Sequence, residues 1–223
     1  MAMSLPPGEP AAGPWRTVPV QELIDVVHRV AGDPVGRPRI VAVDGRGGSG
    51  KTTLAALLRQ HLPHSAVVHT DDLAWHEPLF GWGHLLADGV LRPLRRGEAV
   101  SFQPPAWAPR GRSGAVQVPA GLEYVLVEGS GASLREHAQL VDATIWVQAD
   151  SAEAERRGIA RDTEDGVNGD PEQTVAFWRQ WMTEELPFFD RQQPWTRACA
   201  VVDGTPPTGG GDGHVTVAPG PVG

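Results

Sequence analysis

The chain has 223 residues, 40% of them hydrophobic, which suits one α/β domain with a real core and room for a small mobile subdomain. A formal net charge of −8 removes the basic face that a nucleic-acid partner needs. The single cysteine, Cys199, excludes an internal disulfide and fits a reducing cytoplasm, and its apolar neighbours mark it as a buried structural thiol. No apolar stretch approaches the roughly 18 residues that span a bilayer, so no membrane is expected, and Met1 to Pro14 lacks the pattern of a signal peptide.

Residues 1–14, rich in Pro, Gly and Ala, predict a flexible segment. Leu23, Val26, Val27, Val30 and Ala31 recur at helical spacing over 19–31, and Gly32 stops that helix. Ile40 to Val43 reads as a buried parallel strand, Gly45 to Gly50 as a glycine loop, and Thr52 to His61 as a helix with Leu54, Leu57, Leu58 and Leu62 on one side. Ala66 to His69 is the next strand, followed directly by Asp71-Asp72. Residues 82–96 look helical despite Gly83, Gly89 and Pro93, and 98–121 predict β-turn structure carrying a substrate loop. Tyr124 to Val127 is another buried strand, and Ser133-Leu134-Arg135-Glu136 has the capping-box spacing that begins a helix. Ala143 to Val147 is a strand that leads to a helix capped at Asp150 or Ser151.

Asp170-Pro171-Glu172-Gln173 opens the last long helix, along which Val175, Trp178, Trp181, Met182 and Phe189 recur, and Pro187 should kink or end it. Ala200 to Val202 is the last core strand, and 205–223 is a Gly/Pro-rich tail with little structure, although Val215 to Val217 could pair somewhere. Strands alternating with helices predict a mostly parallel sheet with helices on both faces, in a domain over 15–204.

Gly45-Arg46-Gly47-Gly48-Ser49-Gly50-Lys51-Thr52 has the spacing Gly-x-x-x-x-Gly-Lys-Thr between a strand and a helix, the context that separates a phosphate-binding loop from a glycine-rich turn. Its backbone N–H groups and the positive end of the following helix converge on an anion. The expected nucleotide contacts are Gly45, Gly47, Gly48, Ser49, Gly50, Lys51, Thr52 and Thr53, with Lys51 bridging the β- and γ-phosphates and the Thr52 hydroxyl on Mg2+. The fold expected is therefore the three-layer α/β fold of P-loop NTPases, with ATP and Mg2+ as cofactors.

Carboxylates at strand ends face the ligand crevice of such a sheet. Asp71 there can take a proton from an attacking hydroxyl or hold Mg2+, Asp72 can serve metal, substrate or a helix cap, and Glu128 can orient a water on Mg2+ or touch the substrate. Arg157 and Arg161, four apart, share a helix face and can neutralise a transferring phosphoryl group, and 162–170 can form a lid. Trp75, Trp82 and Trp107 flank the substrate side, where Trp107 is available to stack on a flat ligand and Arg110 and Arg112 to grip an anionic one. His69, His76 and His84 lack metal-ligand spacing, and His69 reads as filling strand space.

Val43 to Thr53, Thr70-Asp71-Asp72-Leu73, Val127-Glu128-Gly129, Arg157 to Asp162 and Pro194 to Gly204 together resemble the uridine kinase and phosphoribulokinase family of P-loop kinases, over roughly residues 39–204. The resemblance implies that Asp71 is the catalytic base, that Arg157 and Arg161 contact ATP phosphates, and that phosphate passes to a primary hydroxyl of a nucleoside, a sugar phosphate or pantothenate. Gln103-Pro104-Pro105-Ala106-Trp107 lacks the Tyr-Asp pair of uridine kinases, and Leu73-Ala74-Trp75 replaces an aromatic after the aspartates; both departures bear on the acceptor and leave the ATP chemistry in place. The expected activity is a uridine kinase-like, ATP-dependent phosphorylation of a small hydroxyl acceptor. The alternatives are a kinase of a sugar, vitamin precursor or antibiotic, and a nucleotide-binding regulatory module. No Asn-Lys-x-Asp guanine-reading motif occurs.

Overall fold

The computed structural model describes residues 3–205 and 213–223. In chain order the elements are β1 (Arg16–Pro19), α1 (Val20–Ala31), β2 (Arg39–Gly45), α2 (Lys51–His61), β3 (Ser65–His69) and α3 (Thr70–Ala74). A continuous helical stretch follows, made of α4 (Gly83–Leu86), a π-helical turn (Ala87–Leu91) and α5 (Arg92–Arg95). The hairpin β4 (Val100–Phe102) and β5 (Val116–Val118) precedes β6 (Tyr124–Glu128), β7 (Ala143–Gln148), α6 (Ser151–Asp165), α7 (Pro171–Gln192), β8 (Ala200–Asp203) and β9 (His214–Pro219).

Five parallel strands run in the order β3-β6-β2-β7-β8, and β9 and β1 extend the sheet antiparallel beyond β8. The apolar runs read as buried strands because both sheet faces are covered. Along β2, Val41 and Val43 pack with Leu54 and Leu58 of α2 and Leu23 and Val27 of α1, whereas Ile40 and Ala42 pack with Leu86, Val90 and Leu91 on the opposite face. Trp146 of β7, Phe188 and Phe189 of α7, and Trp195 close a third cluster. Among the described residues, no helix is long and apolar enough to cross a membrane. Cys199 is buried, and burial pushes its thiol up to about 11.

Four expectations change. The N-terminal segment is not loose from residue 3 onward. Glu9 is buried, Ala12 N–H donates to Gln148 Oε1 (3.0 Å), and Ser4 both donates to Asp150 (2.8 Å) and accepts from Ser151. The capping-box spacing at Ser133 yields only a short 3-10 turn (Arg135–His137), because the Ser133 hydroxyl and N–H are both spent on Asp44. Helix α7 runs through Pro187 to Gln192, so of the kink or end expected there the end does not occur. In the tail, β9 pairs with β8 and β1, while 206–212 of the expected loose tail lie outside the described residues.

Candidate active site

Strand β2 delivers the chain to the glycine loop, and α2 starts at Lys51 with its N-terminus behind the loop. Gly48 has φ +71°, and a Cβ there would lie 2.0 Å from the Ala154 carbonyl oxygen, so only glycine lets α6 approach the loop this closely.

The loop is held from several directions. Asp44 is buried at its start and accepts from Gly45 N–H (2.8 Å), Gly131 N–H (2.9 Å), and Ser133 N–H (2.9 Å) and Oγ–H (2.7 Å). Burial pushes its carboxyl above the usual range, and these four donors hold it back. Arg46 is clasped by Glu9 (Nε to Oε2, 2.7 Å), whose other oxygen accepts from Trp146 Nε1 (2.8 Å) and Gln148 Nε2 (3.0 Å). Glu185, fully buried on α7, accepts from Gly47 N–H (2.8 Å) and from Trp181 Nε1–H (3.0 Å). Burial raises its carboxyl as well. Lys51 Nζ donates to the Arg46 carbonyl (2.7 Å).

A cleft of about 600 Å³ opens over the loop. Gly47, Gly48, Lys51 and Thr52 form its floor, Asp71, Glu128 and Arg161 stand around them, and Trp75, Phe177, Trp178 and Trp181 make an aromatic wall. Asp71 faces the cleft, and desolvation there pushes its carboxyl above the ordinary range; Glu128 adds to this, while Lys51, Arg161 and His69 oppose it. Thr52 Oγ1 lies 3.3 and 3.4 Å from the two oxygens of Glu128. His69 Nδ1–H donates to Glu128 (2.5 Å), and this hydrogen bond foremost raises the imidazole pKa. Among the described residues no cluster of three or more His, Cys, Asp and Glu is arranged to hold a metal by itself. A cation here would rest on the Thr52 hydroxyl and Glu128, with the remaining oxygens coming from a nucleotide.

The structure thus gathers Lys51, Thr52, Asp71, Glu128 and Arg161, all singled out in the sequence, around one cleft. Gly45 and Ser49 help shape the loop from its buried side, and Thr53 lies exposed on α2. Arg157 does not line the cleft: its Nη1 donates to Gly204 O (2.8 Å), and Glu153 lies 3.7 Å from its Nε. Asp72 pairs with Arg112, whose guanidinium stacks 3.6 Å over Trp107 and lies 5.3 Å from the Trp75 ring. Trp107 Nε1 donates to Asp72 O (2.9 Å). This set latches the β4–β5 hairpin onto α3. Arg110 stands apart, its side chain in reach, among the described residues, only of Ala106 O (3.4 Å). The start of the expected lid is anchored, since buried Asp162 accepts from Trp178 Nε1 (2.7 Å).

Sequence reasoning missed Glu9, Glu185 and the His69–Glu128 pair, and it noted Trp178 and Trp181 only as recurring at helical spacing. The spacing of Trp181 and Glu185, four residues apart on one helix face, was the available signal for the last two.

The fold and the loop together define a P-loop protein. No family model and no curated protein matches the sequence. Solved structures do match. One is a candidate fructose transport system kinase of Silicibacter sp. TM1040 (25% identity, TM-score 0.50, covering 71% of this chain and 87% of that one). Another is D-glycerate 3-kinase of Cryptococcus neoformans (16% identity, TM-score 0.55, 82% and 94%). A third is a candidate uridine kinase of Bacillus stearothermophilus (17% identity, TM-score 0.49, 81% and 98%). The fold is that of P-loop kinases.

Proposed function

We propose that this chain is an ATP-dependent kinase that phosphorylates a hydroxyl group of a small molecule, with a uridine kinase-like site. The observation that carries this reading is that Asp71 faces the same cleft as Lys51, Thr52 and Arg161. A carboxylate with a raised pKa is thereby set beside the groups that grip a γ-phosphate. The loop fits a polyphosphate, because it forms the floor of the cleft at the N-terminus of α2 and Lys51, among the described residues, donates only to a carbonyl that it can exchange for a phosphate oxygen. Thr52 and Glu128 fit Mg2+, which when bound supplies positive charge to the β- and γ-oxygens.

Asp71 orients the acceptor hydroxyl and takes its proton as the new O–P bond forms and the bond from the γ-phosphorus to the leaving ADP oxygen breaks. Lys51 and Arg161 neutralise charge on the phosphoryl oxygens in flight. His69 fixes Glu128 against Thr52. The aromatic wall keeps water from competing with the acceptor. The buried thiol is consistent with a cytoplasmic setting.

The test is coupled ADP release with MgATP over nucleosides, sugar phosphates, sugars and pantothenate-like alcohols, with Asp71→Asn alongside. An acceptor that raises ADP release, with the rise lost in Asp71→Asn while nucleotide still binds, is the expected result. No acceptor effect, and no difference between the two proteins, would sink the reading and favour a nucleotide-binding regulatory module.

A further inference from the structure

The wall of the cleft also limits the acceptor, if the kinase reading above is right. Four carboxylates line it (Asp71, Glu128, Asp162 and Asp165) against two cations, Lys51 and Arg161. In the proposed reaction Lys51 and Arg161 serve the γ-phosphate, and Arg161 is already paired with Asp162 (2.7 Å), so neither is left for a negative charge on the acceptor. Of the other guanidiniums in this region, Arg112 is committed to Asp72 and the Trp107 face and Arg157 to Gly204 O, while Arg110 does not line the cleft. An anionic acceptor would enter beside an anionic nucleotide with no side-chain cation of the cleft free to meet its charge.

What the cleft offers instead is apolar and flat. Phe177 is 38% exposed and Val167 66%, and both line this cleft. Large apolar groups left open beside a reactive carboxylate mark a binding surface. The Phe177 and Trp181 rings lie nearly parallel, 27° apart with centroids at 6.4 Å, and Phe80 backs Trp181 at 5.0 Å. The indole is not free to swing. Its N–H is held by Glu185, and the same Glu185 oxygen holds Gly47 N–H of the phosphate loop, so the ring is registered to the loop through one carboxylate. The other end of the loop leads away from these rings: Gly50 packs under Gly204, where Arg157 is bound, and none of the three lines the cleft.

We propose that the acceptor is an alcohol without negative charge whose flat, unsaturated body stacks on Phe177 and Trp181, and that these two rings are its specificity-determining surface. The stack presents the hydroxyl to Asp71, which takes its proton as the oxygen bonds to the γ-phosphorus and ADP leaves.

The experiment measures kcat and KM for ADP release by the full chain with benzyl alcohol, pyridylmethanols, a nucleoside, fructose, glycerate and ribose 5-phosphate. It is paired with the Kd of MgAMP-PNP for each protein variant. Flat uncharged or cationic alcohols are expected to exceed glycerate and ribose 5-phosphate by about tenfold or more in kcat/KM. Phe177→Ala and Trp181→Leu should each raise KM for the flat alcohols about fivefold, with kcat and the MgAMP-PNP Kd little changed, and Trp181→Phe should restore most of the loss. Three results overturn the proposal while leaving the kinase reading standing. They are preference for an anionic alcohol, a KM that ignores both ring substitutions, and a loss of MgAMP-PNP affinity matching the rise in KM, which would assign the rings to the nucleotide. ADP release that no alcohol in the panel raises overturns the kinase reading and this inference with it.

Discussion

Glu9→Ala tests whether the N-terminal segment belongs to the nucleotide site. The Glu9 and Arg46 side chains are 2% and 10% exposed, and their contact is 2.7 Å. Removing one partner of a buried ion pair costs about 3–5 kcal/mol, because the other charge stays behind without compensation. Trp146 Nε1 loses its acceptor as well, roughly 1 kcal/mol more, whereas Gln148 keeps the Pro10 carbonyl at 2.9 Å. The sum is about 5 kcal/mol, and for a domain of this size it lowers Tm by roughly 10–20 °C. Because Arg46 is the second residue of the phosphate loop, the KM for ATP should rise too. Glu9→Gln keeps an oxygen for the indole and loses only the charge, so its effect should be roughly half as large. Thermal melts by circular dichroism and the ATP dependence of turnover measure both effects. A Glu9→Ala protein melting within about 2 °C of wild type would refute the reasoning, since no relaxation of a buried, triply bonded carboxylate is that cheap.

Asp71→Asn should lower kcat by about 10²–10⁴ with MgAMP-PNP affinity retained. In wild type the carboxyl must be ionised to accept a proton, so kcat/KM should rise with pH through an Asp71 pKa above the ordinary carboxylate range and then level off; Glu128→Gln should move that limb to lower pH, because Glu128 is one of the groups that raises it. Glu185→Ala leaves Gly47 N–H and Trp181 N–H buried without an acceptor and should cost about 2–4 kcal/mol in chemical denaturation with a raised KM for ATP, whereas Glu185→Gln, which keeps one oxygen for both donors, should cost about 1 kcal/mol or less. Gly48→Ala forces a side chain against Ala154 and should weaken MgAMP-PNP binding about tenfold or more, while Gly111→Ala, also at positive φ (+72°) but in open space, should cost only about 1 kcal/mol and leave binding alone, as calorimetry can check.

What could be read in the sequence was what nearby residues decide. Val125-Leu126-Val127 reads as a strand because both of its faces are buried, so no polar alternation interrupts it. The glycine loop reads as such because its spacing and its flanks are local. The failures share one cause, partners far apart in the chain. The Pro/Gly composition of residues 3–14 gives no hint that Glu9 will meet Arg46, Trp146 and Gln148. The capping-box spacing at Ser133 was real, but Asp44, 89 residues earlier, took its hydroxyl. Trp178 and Trp181 fall at helical spacing, which says only that they share a face. That the face looks onto a cleft depends on Gly158, whose missing Cβ leaves room for Trp178 against α6.

His69 shows how much was recoverable in principle. In the sequence it is a histidine at the end of a strand, 59 residues from Glu128. In the sheet, β3 pairs with β6, not with β2, and the register sets His69 opposite Glu128 as it sets Val43 of β2 opposite the same residue. Parallel strands in register end together, so their last residues form a row along the carboxyl edge of the sheet. Strand order alone therefore places His69, Glu128 and the start of the glycine loop side by side, one residue ahead of Thr70 and two ahead of Asp71. The motifs named the chemistry of three neighbouring strand ends; the order of those strands, which no local pattern encodes, decided that the histidine ending the edge strand β3 would hold the carboxylate next to Thr52.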